Sequence, residues 1–321
     1  MEILKNNVDV LVHIGIPVII EFKKALELEE FKTWLHEGHS GIEELMNLHG
    51  AIVFRGLEID SAEKFEKVLN IVNTKYIDYK DGNSPRTKIS GNIYTSTEYD
   101  QDFRITQHNE LSYSSSWPKN LYLSCIQPSQ EGGETPLADG RKVLERMDKE
   151  LVDKIKNNKL LYIRNLHGGV GMGPSWQDTF ELDNKNDVED FCRAGDIHYE
   201  WKEDGGLRLS HLREGIIKTK NGEEVWFNQI DQFHPSHMEP EIYEALMLIS
   251  GNNAEALPMY VCFGDGEPIS DKVVKEIQQN IDAELNLTPW EKGDFLMVDN
   301  ELISHGRMPF KGDRKVLVAM A

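Results

Sequence analysis

Cysteine is scarce in this chain, and cations are outnumbered. Three cysteines, Cys125, Cys192 and Cys262, are spread over 321 residues with no C-x-x-C pair. Few, odd in number and far apart, they argue against a disulfide framework or a cysteine-built zinc site, and they fit a reducing compartment such as the cytoplasm. Lys and Arg total 35 against 55 Asp and Glu, a formal net charge of −20. Nucleic acid or an anionic membrane would be repelled by such a surface, and an anionic ligand would need cations placed locally. No apolar run approaches the ~18 residues of a membrane span. The stretch "MEILKNNVDVLVHIGIPVII" lacks a basic segment followed by a sustained apolar core, so neither a signal peptide nor a span is expected.

What is present suits a chain with a large buried core: 39% hydrophobic and 28% charged residues. "IPVIIEF", "GAIVFRGL" and "LYLSCIQP" are short, apolar and bounded by Gly or polar residues, which predicts buried strands. Between the first two, residues 25–48 read as helical. "DSAEKFEKVLNIV" predicts a helix with Phe65, Val68, Leu69 and Val72 on one face and a capping box of Asp60 and Glu63. "RKVLERMDKELVDKIKNN" predicts another. Hairpins are expected at Asp204-Gly205-Gly206 and at Asn221-Gly222. Further helices are expected at 239–250 and 270–285. The end returns to strand in "GDFLMVDNELISHG" and "RKVLVAMA". The pattern suggests one domain over 1–321, mainly β, a sandwich or jelly roll with helical insertions at about 141–200 and 239–285.

The chemistry is expected in "TQHNELSYSSSWP". His108 and Glu110 are two apart, and on an extended strand they would share a face. A His–Glu hydrogen bond on a solvated strand is the bland alternative. A second imidazole, His305, ends a strand in "VDNELISHGRMPFKGDRKVLV", and Arg314 begins the next. If that hairpin packs against the first strand, two imidazoles and one carboxylate meet. This set holds non-haem Fe(II) on one face and leaves the opposite positions open, although zinc could bind the same groups. Arg314 offers a planar fork for a carboxylate, and Thr135 in "GGET" a hydroxyl donor; together they suit a dicarboxylate such as 2-oxoglutarate. A surface cation and a turn residue are their ordinary readings.

The ordered set H-x-E, then G-G-E-T-P-x-A-D, then D-N-x-x-x-x-H-G-R-x-P-F-x-G-x-R resembles the taurine dioxygenase and clavaminate synthase-like family. "QHNELSYSSSWP", "YIRNL", "VWFNQ" and "FGDGEPI" are similar to its syringomycin-biosynthesis-type branch of amino-acid hydroxylases. The resemblance implies a double-stranded β-helix (jelly roll) and an Fe(II)/2-oxoglutarate-dependent dioxygenase that also consumes O2. It implies His108, Glu110 and His305 as iron ligands, with Thr135 and Arg314 on the distal carboxylate of 2-oxoglutarate. Glu110 stands where many relatives carry Asp. Related halogenases replace this carboxylate to admit chloride, so its presence argues for hydroxylation. The substrate it implies is an amino acid, free or tethered to a carrier protein, in the biosynthesis of a specialised metabolite. A sulfonate or other small acid in catabolism is the alternative, as is a non-catalytic jelly roll binding a metal or dicarboxylate.

Several relatives carry a further basic residue soon after the arginine. Here "VLVAMA" follows Lys315, and Arg164 is the candidate for an additional clamp. Asn228, Tyr113 and Trp117 are candidates to line the substrate pocket, and Arg307 is an ion-pairing or substrate residue. His234 and His237 in "FHPSHM" read as loop histidines, and "NLHGGVGMG" as a flexible loop.

Overall fold

The computed structural model describes residues 8–73, 75–84 and 86–321; the first seven residues of the N-terminal stretch read above lie outside them. An eight-stranded sheet forms its middle layer, in the order Val10–His13, Val18–Leu26, Ala51–Leu57, Phe295–Asp299, Asn120–Gln127, Lys315–Met320, Ile93–Thr95, Lys88–Ser90. Successive side chains of a strand face opposite ways. Ile52, Phe54, Phe295, Leu317 and Ala319 therefore meet one core, shared with Phe31 and Trp34 of helix Leu28–Glu37 and Phe65, Val68 and Leu69 of helix Ala62–Val72. Ala51, Val53, Leu296, Val316 and Val318 meet the other.

That second core is closed by two smaller sheets. One runs His198–Trp201, Leu207–Arg213, Leu160–Leu166, Met259–Phe263, and the other Ile105–His108, Ile303–Arg307, Leu137–Asp139. Tyr162, Val261 and Ile303 carry them into the shared core. The C-terminal strand sits inside the main sheet, paired with Asn120–Gln127 on one side and Ile93–Thr95 on the other.

Both hairpins form where the turns were expected, with Gly205 and Gly222 at φ +83°. The helices depart in detail. The 25–48 stretch is two helices, Leu28–Glu37 and His39–His49, broken at Gly38. The 141–158 stretch also breaks, because Asp148 caps a new helix by accepting from Leu151 N–H. Ser61, not Asp60, caps helix Ala62–Val72; Asp60 instead pairs with Lys64. The two expected helical insertions are not purely helical. Each contributes a strand of the four-stranded sheet, Leu160–Leu166 and Met259–Phe263, since their alternating apolar residues are needed on the second core. No helix among the described residues is long and apolar enough to cross a membrane.

Candidate metal centre

His305 stands directly opposite His108 across the antiparallel pair of Ile303–Arg307 and Ile105–His108. Their ring centroids are 4.6 Å apart. This pairing demands close backbone approach. A Cβ on Gly306 would lie 2.3 Å from the Ile105 carbonyl oxygen, so only glycine fits between the two ligand-bearing strands.

Glu110 does not share an extended strand with His108, as the sequence reading assumed. The strand ends at His108, and a turn follows in which Leu111 takes φ +56°. Asn300 sets this turn. Its Oδ1 accepts from Glu110 N–H at 2.7 Å, and its Nδ2 donates to the carbonyls of Glu110 and Pro118 at 3.0 and 2.8 Å. Asn109 returns a bond to the Asn300 carbonyl. The turn swings the carboxylate back between the rings, so that Oε2 lies 4.0 Å from His108 Nε2 and 3.7 Å from His305 Nε2.

One donor atom from each of these three buried side chains falls within 4.8 Å of the others; among the described residues they are the only such cluster. The donor set fits a divalent metal. His108 Nδ1 lies 2.9 Å from the Thr106 carbonyl, which can accept its proton and leave the Nε2 lone pair facing Glu110. Burial and the neighbouring His305 push the His108 pKa down to about 4, so the ring is neutral at pH 7. Burial alone would raise the Glu110 pKa, but Arg86 and the two imidazoles hold it well below the usual carboxylate range. His305 Nδ1 is buried without a hydrogen-bond partner.

Arg86 was not anticipated. Its Nη2 donates to Glu110 Oε2 at 2.7 Å, with both side chains under 5% exposed, and its guanidinium lies over the Tyr79 ring. It sits in the polar loop "DGNSPRTK", which has no periodicity to mark a buried cation.

The same narrow cleft runs from His108, His305 and Arg86 to Thr135 and Arg314. Arg314 is fixed by Nε donating to the Gly133 carbonyl at 2.9 Å and Nη1 to Ser96 Oγ at 3.1 Å. Burial and the nearby Arg307 push its pKa down to about 10, which leaves it charged at neutral pH. Thr135 Oγ1 accepts from Trp290 Nε1 at 3.2 Å, so its own proton is free to donate. A wider cavity of about 710 Å³ lies on the opposite, helix-covered face of the main sheet, lined by Lys32, His36, Met46 and Tyr122 among others. The three-donor cluster is not among its lining residues.

The four expected substrate residues do not line the cleft; each is committed elsewhere. Arg164 is buried in an ion pair with Asp81 and also donates to the Asp81 and Gly82 carbonyls, so it is no free clamp. Tyr113 donates to the Asp81 carbonyl at 2.6 Å. Asn228 spans the Gly215 carbonyl and Ile230 N–H. Trp117 bonds Glu301 and packs on Phe227. Arg307 lines the cleft but spends its donors on the carbonyls of Thr97, Tyr99, Asp100 and Phe103. His234 and His237 bond Ser236, Ile269 and each other's segment, as loop histidines do.

Residues 20–320 match the family model described as taurine catabolism dioxygenase TauD, TfdA family. The chain belongs to this family. It is an Fe(II)/2-oxoglutarate-dependent dioxygenase, with O2 as the oxidant. It is 36% identical over 284 residues to the dapdiamide synthesis protein DdaC of Enterobacter agglomerans, covering 88% of this chain and 85% of that one. It is 30% identical over 305 residues to a clavaminate synthase-like protein of Arabidopsis thaliana, covering 92% and 88%. Among solved structures, PvcB of Pseudomonas aeruginosa aligns with TM-score 0.54 at 10% identity over 98% of this chain and 91% of that one. An asparagine oxygenase in complex with Fe(II), 3-hydroxyasparagine and succinate aligns with TM-score 0.54 at 14% identity over 92% and 83%. At these identities the structural matches speak for the family's fold, sheets with flanking helices.

Proposed function

We propose that this enzyme hydroxylates an aliphatic carbon of an amino acid in the biosynthesis of a specialised metabolite, on a double-stranded β-helix formed by one domain. His108, Glu110 and His305 hold the iron, and Thr135 and Arg314 grip the distal carboxylate of 2-oxoglutarate. The observation that carries this reading is the cleft that joins His108 and His305, two of the three convergent donors, to a cation and a free hydroxyl. A redox-inert structural site would have no use for the second half of that cleft.

The bound iron supplies the O2 activation and C–H cleavage that protein side chains cannot. The chain's own residues do the rest. His108 presents a neutral nitrogen, His305 faces it across the strand pair, and Asn300 locks the turn that aims Glu110. Arg314, pre-oriented by Gly133 and Ser96, meets a carboxylate without having to reorganise. Burial of all three donors restricts water at the reacting centre. Glu110 would supply the metal with a carboxylate ligand, which favours hydroxylation over halogenation.

The amino-acid substrate and the biosynthetic setting are supported by the similarity to DdaC, a dapdiamide synthesis protein, and to an asparagine oxygenase fold. Three free, buried thiols accord with a cytoplasmic protein. The test is a screen of amino acids for stimulated succinate release under isotopically labelled O2, with mass spectrometry of the product. One labelled oxygen in an amino-acid product supports the reading. Stimulation by sulfonates alone would move the substrate to another small acid, and no succinate with any amino acid would overturn the amino-acid reading.

A further inference from the structure

Arg86 is a buried cation with unspent hydrogen-bonding capacity beside the metal donors. Its side chain is 4% exposed. Nη2 is on Glu110 and the side chain also bonds Tyr79, but Nε is buried with no partner. Glu110 is the only carboxylate within ion-pairing distance of it among the described residues, and that group is required by the metal. When a metal takes up Glu110, the guanidinium keeps its full charge in a low-dielectric site and loses part of its compensation.

The charges of the loaded site do not cancel without another anion. Iron brings two positive charges, and Arg86 and Arg314 one each. Glu110 brings one negative charge and 2-oxoglutarate two. One positive charge is left over among these groups, and Arg307 on the cleft wall adds to it; a substrate carboxylate beside Arg86 would offset it locally, whatever charge the substrate carries at its other end. The other cations near the cleft are held elsewhere: Arg314 by Gly133 and Ser96, Arg307 by four backbone carbonyls, and Arg164 by Asp81.

We infer that Arg86 anchors the free carboxylate of the substrate, and therefore that the enzyme takes an amino acid with its carboxyl group unesterified, in preference to one tethered to a carrier as a thioester. A thioester carbonyl is uncharged and cannot balance a buried guanidinium. This inference rests on the amino-acid reading above.

The experiment is calorimetric binding to anaerobic protein loaded with Mn(II) and N-oxalylglycine, which are redox-silent stand-ins for iron and 2-oxoglutarate. The probes are free L-amino acids, their carboxamides, their N-acetylcysteamine thioesters, and taurine. Wild type should bind at least one free acid about tenfold or more tighter than its amide or thioester. Arg86→Gln should weaken the acid by about 30-fold or more and abolish the preference, while Arg86→Lys should keep part of it. Mn(II) and N-oxalylglycine affinities, measured on the same variants, should move less than about threefold. Retention of the acid-over-amide preference in Arg86→Gln would overturn the inference. So would a wild type that binds thioester as tightly as acid, or a loss of Mn(II) affinity as large as the loss of acid, which would make Arg86 a prop for Glu110. Arg86-dependent binding of taurine but of no amino acid would keep the anion anchor and overturn the amino-acid reading. Binding of no probe would overturn both.

Discussion

Replacing Arg314 with alanine tests the co-substrate half of the cleft. The side chain is held by two bonds, Nε to the Gly133 carbonyl and Nη1 to Ser96 Oγ, which orient the guanidinium plane before any ligand arrives. A carboxylate that binds there gains a charge-assisted bond with little ordering cost. Removing one partner of such a buried pair costs about 2–5 kcal/mol, a loss of about 30- to 5000-fold in affinity. Arg314→Lys should recover only part, because an ammonium cannot keep both orienting bonds and still present two parallel donors. Thr135→Val should cost about 1–3 kcal/mol, and it also strands the Trp290 Nε1–H that now bonds the hydroxyl. The assay is calorimetric titration of N-oxalylglycine into Mn(II)-loaded protein, without oxygen, so that turnover plays no part. An unchanged dissociation constant in Arg314→Ala would refute the assignment of this end of the cleft.

Three further outcomes follow from the packing around the metal donors. Gly306→Ala places a Cβ against the Ile105 and Thr106 backbone and should force the two histidine strands apart, costing about 1–3 kcal/mol and most of the Mn(II) affinity; wild-type affinity in this variant would contradict the close approach. Asn300→Asp keeps the acceptor for Glu110 N–H but loses the donors to the Glu110 and Pro118 carbonyls, at about 1–3 kcal/mol for each acceptor left alone; an unchanged urea midpoint would refute the role of Asn300 in setting the turn. Burial pushes the Asp231 pKa up to about 6, so between about pH 4 and pH 6 the folded protein holds a proton that the unfolded chain has released. Stability should therefore fall as pH rises through that window and level off above it. Asp231→Asn should remove this slope and gain up to about 3 kcal/mol near pH 7; equal slopes in urea melts of the two proteins would show the reasoning wrong.

Local pattern in the sequence was enough for much of this protein. Short apolar runs in "IPVIIEF", "GAIVFRGL" and "LYLSCIQP" marked three strands, because burial on both faces of a middle layer leaves few polar choices there. Asn-Gly and Asp-Gly-Gly marked the hairpins, since the positive φ of these turns suits glycine. The candidate metal donors and the Arg–Thr pair were legible because the residue types themselves carry the chemistry and their order resembles a known family. Asn300 stood within the quoted motif, but its work on the Glu110 turn could not be read from it.

Only the tertiary structure decided which polar side chains remained available. Arg164 looked like a clamp until Asp81, 83 residues away, was seen to consume it, and Trp117 met Glu301 from 184 residues away. Arg86 looked like an ordinary loop cation until folding buried it against Glu110. Periodicity reports which face of an element is buried, because the hydrophobic effect is non-directional and acts on whole faces. A buried hydrogen bond or ion pair is directional and selects one partner, and that choice is made only when distant segments are brought together.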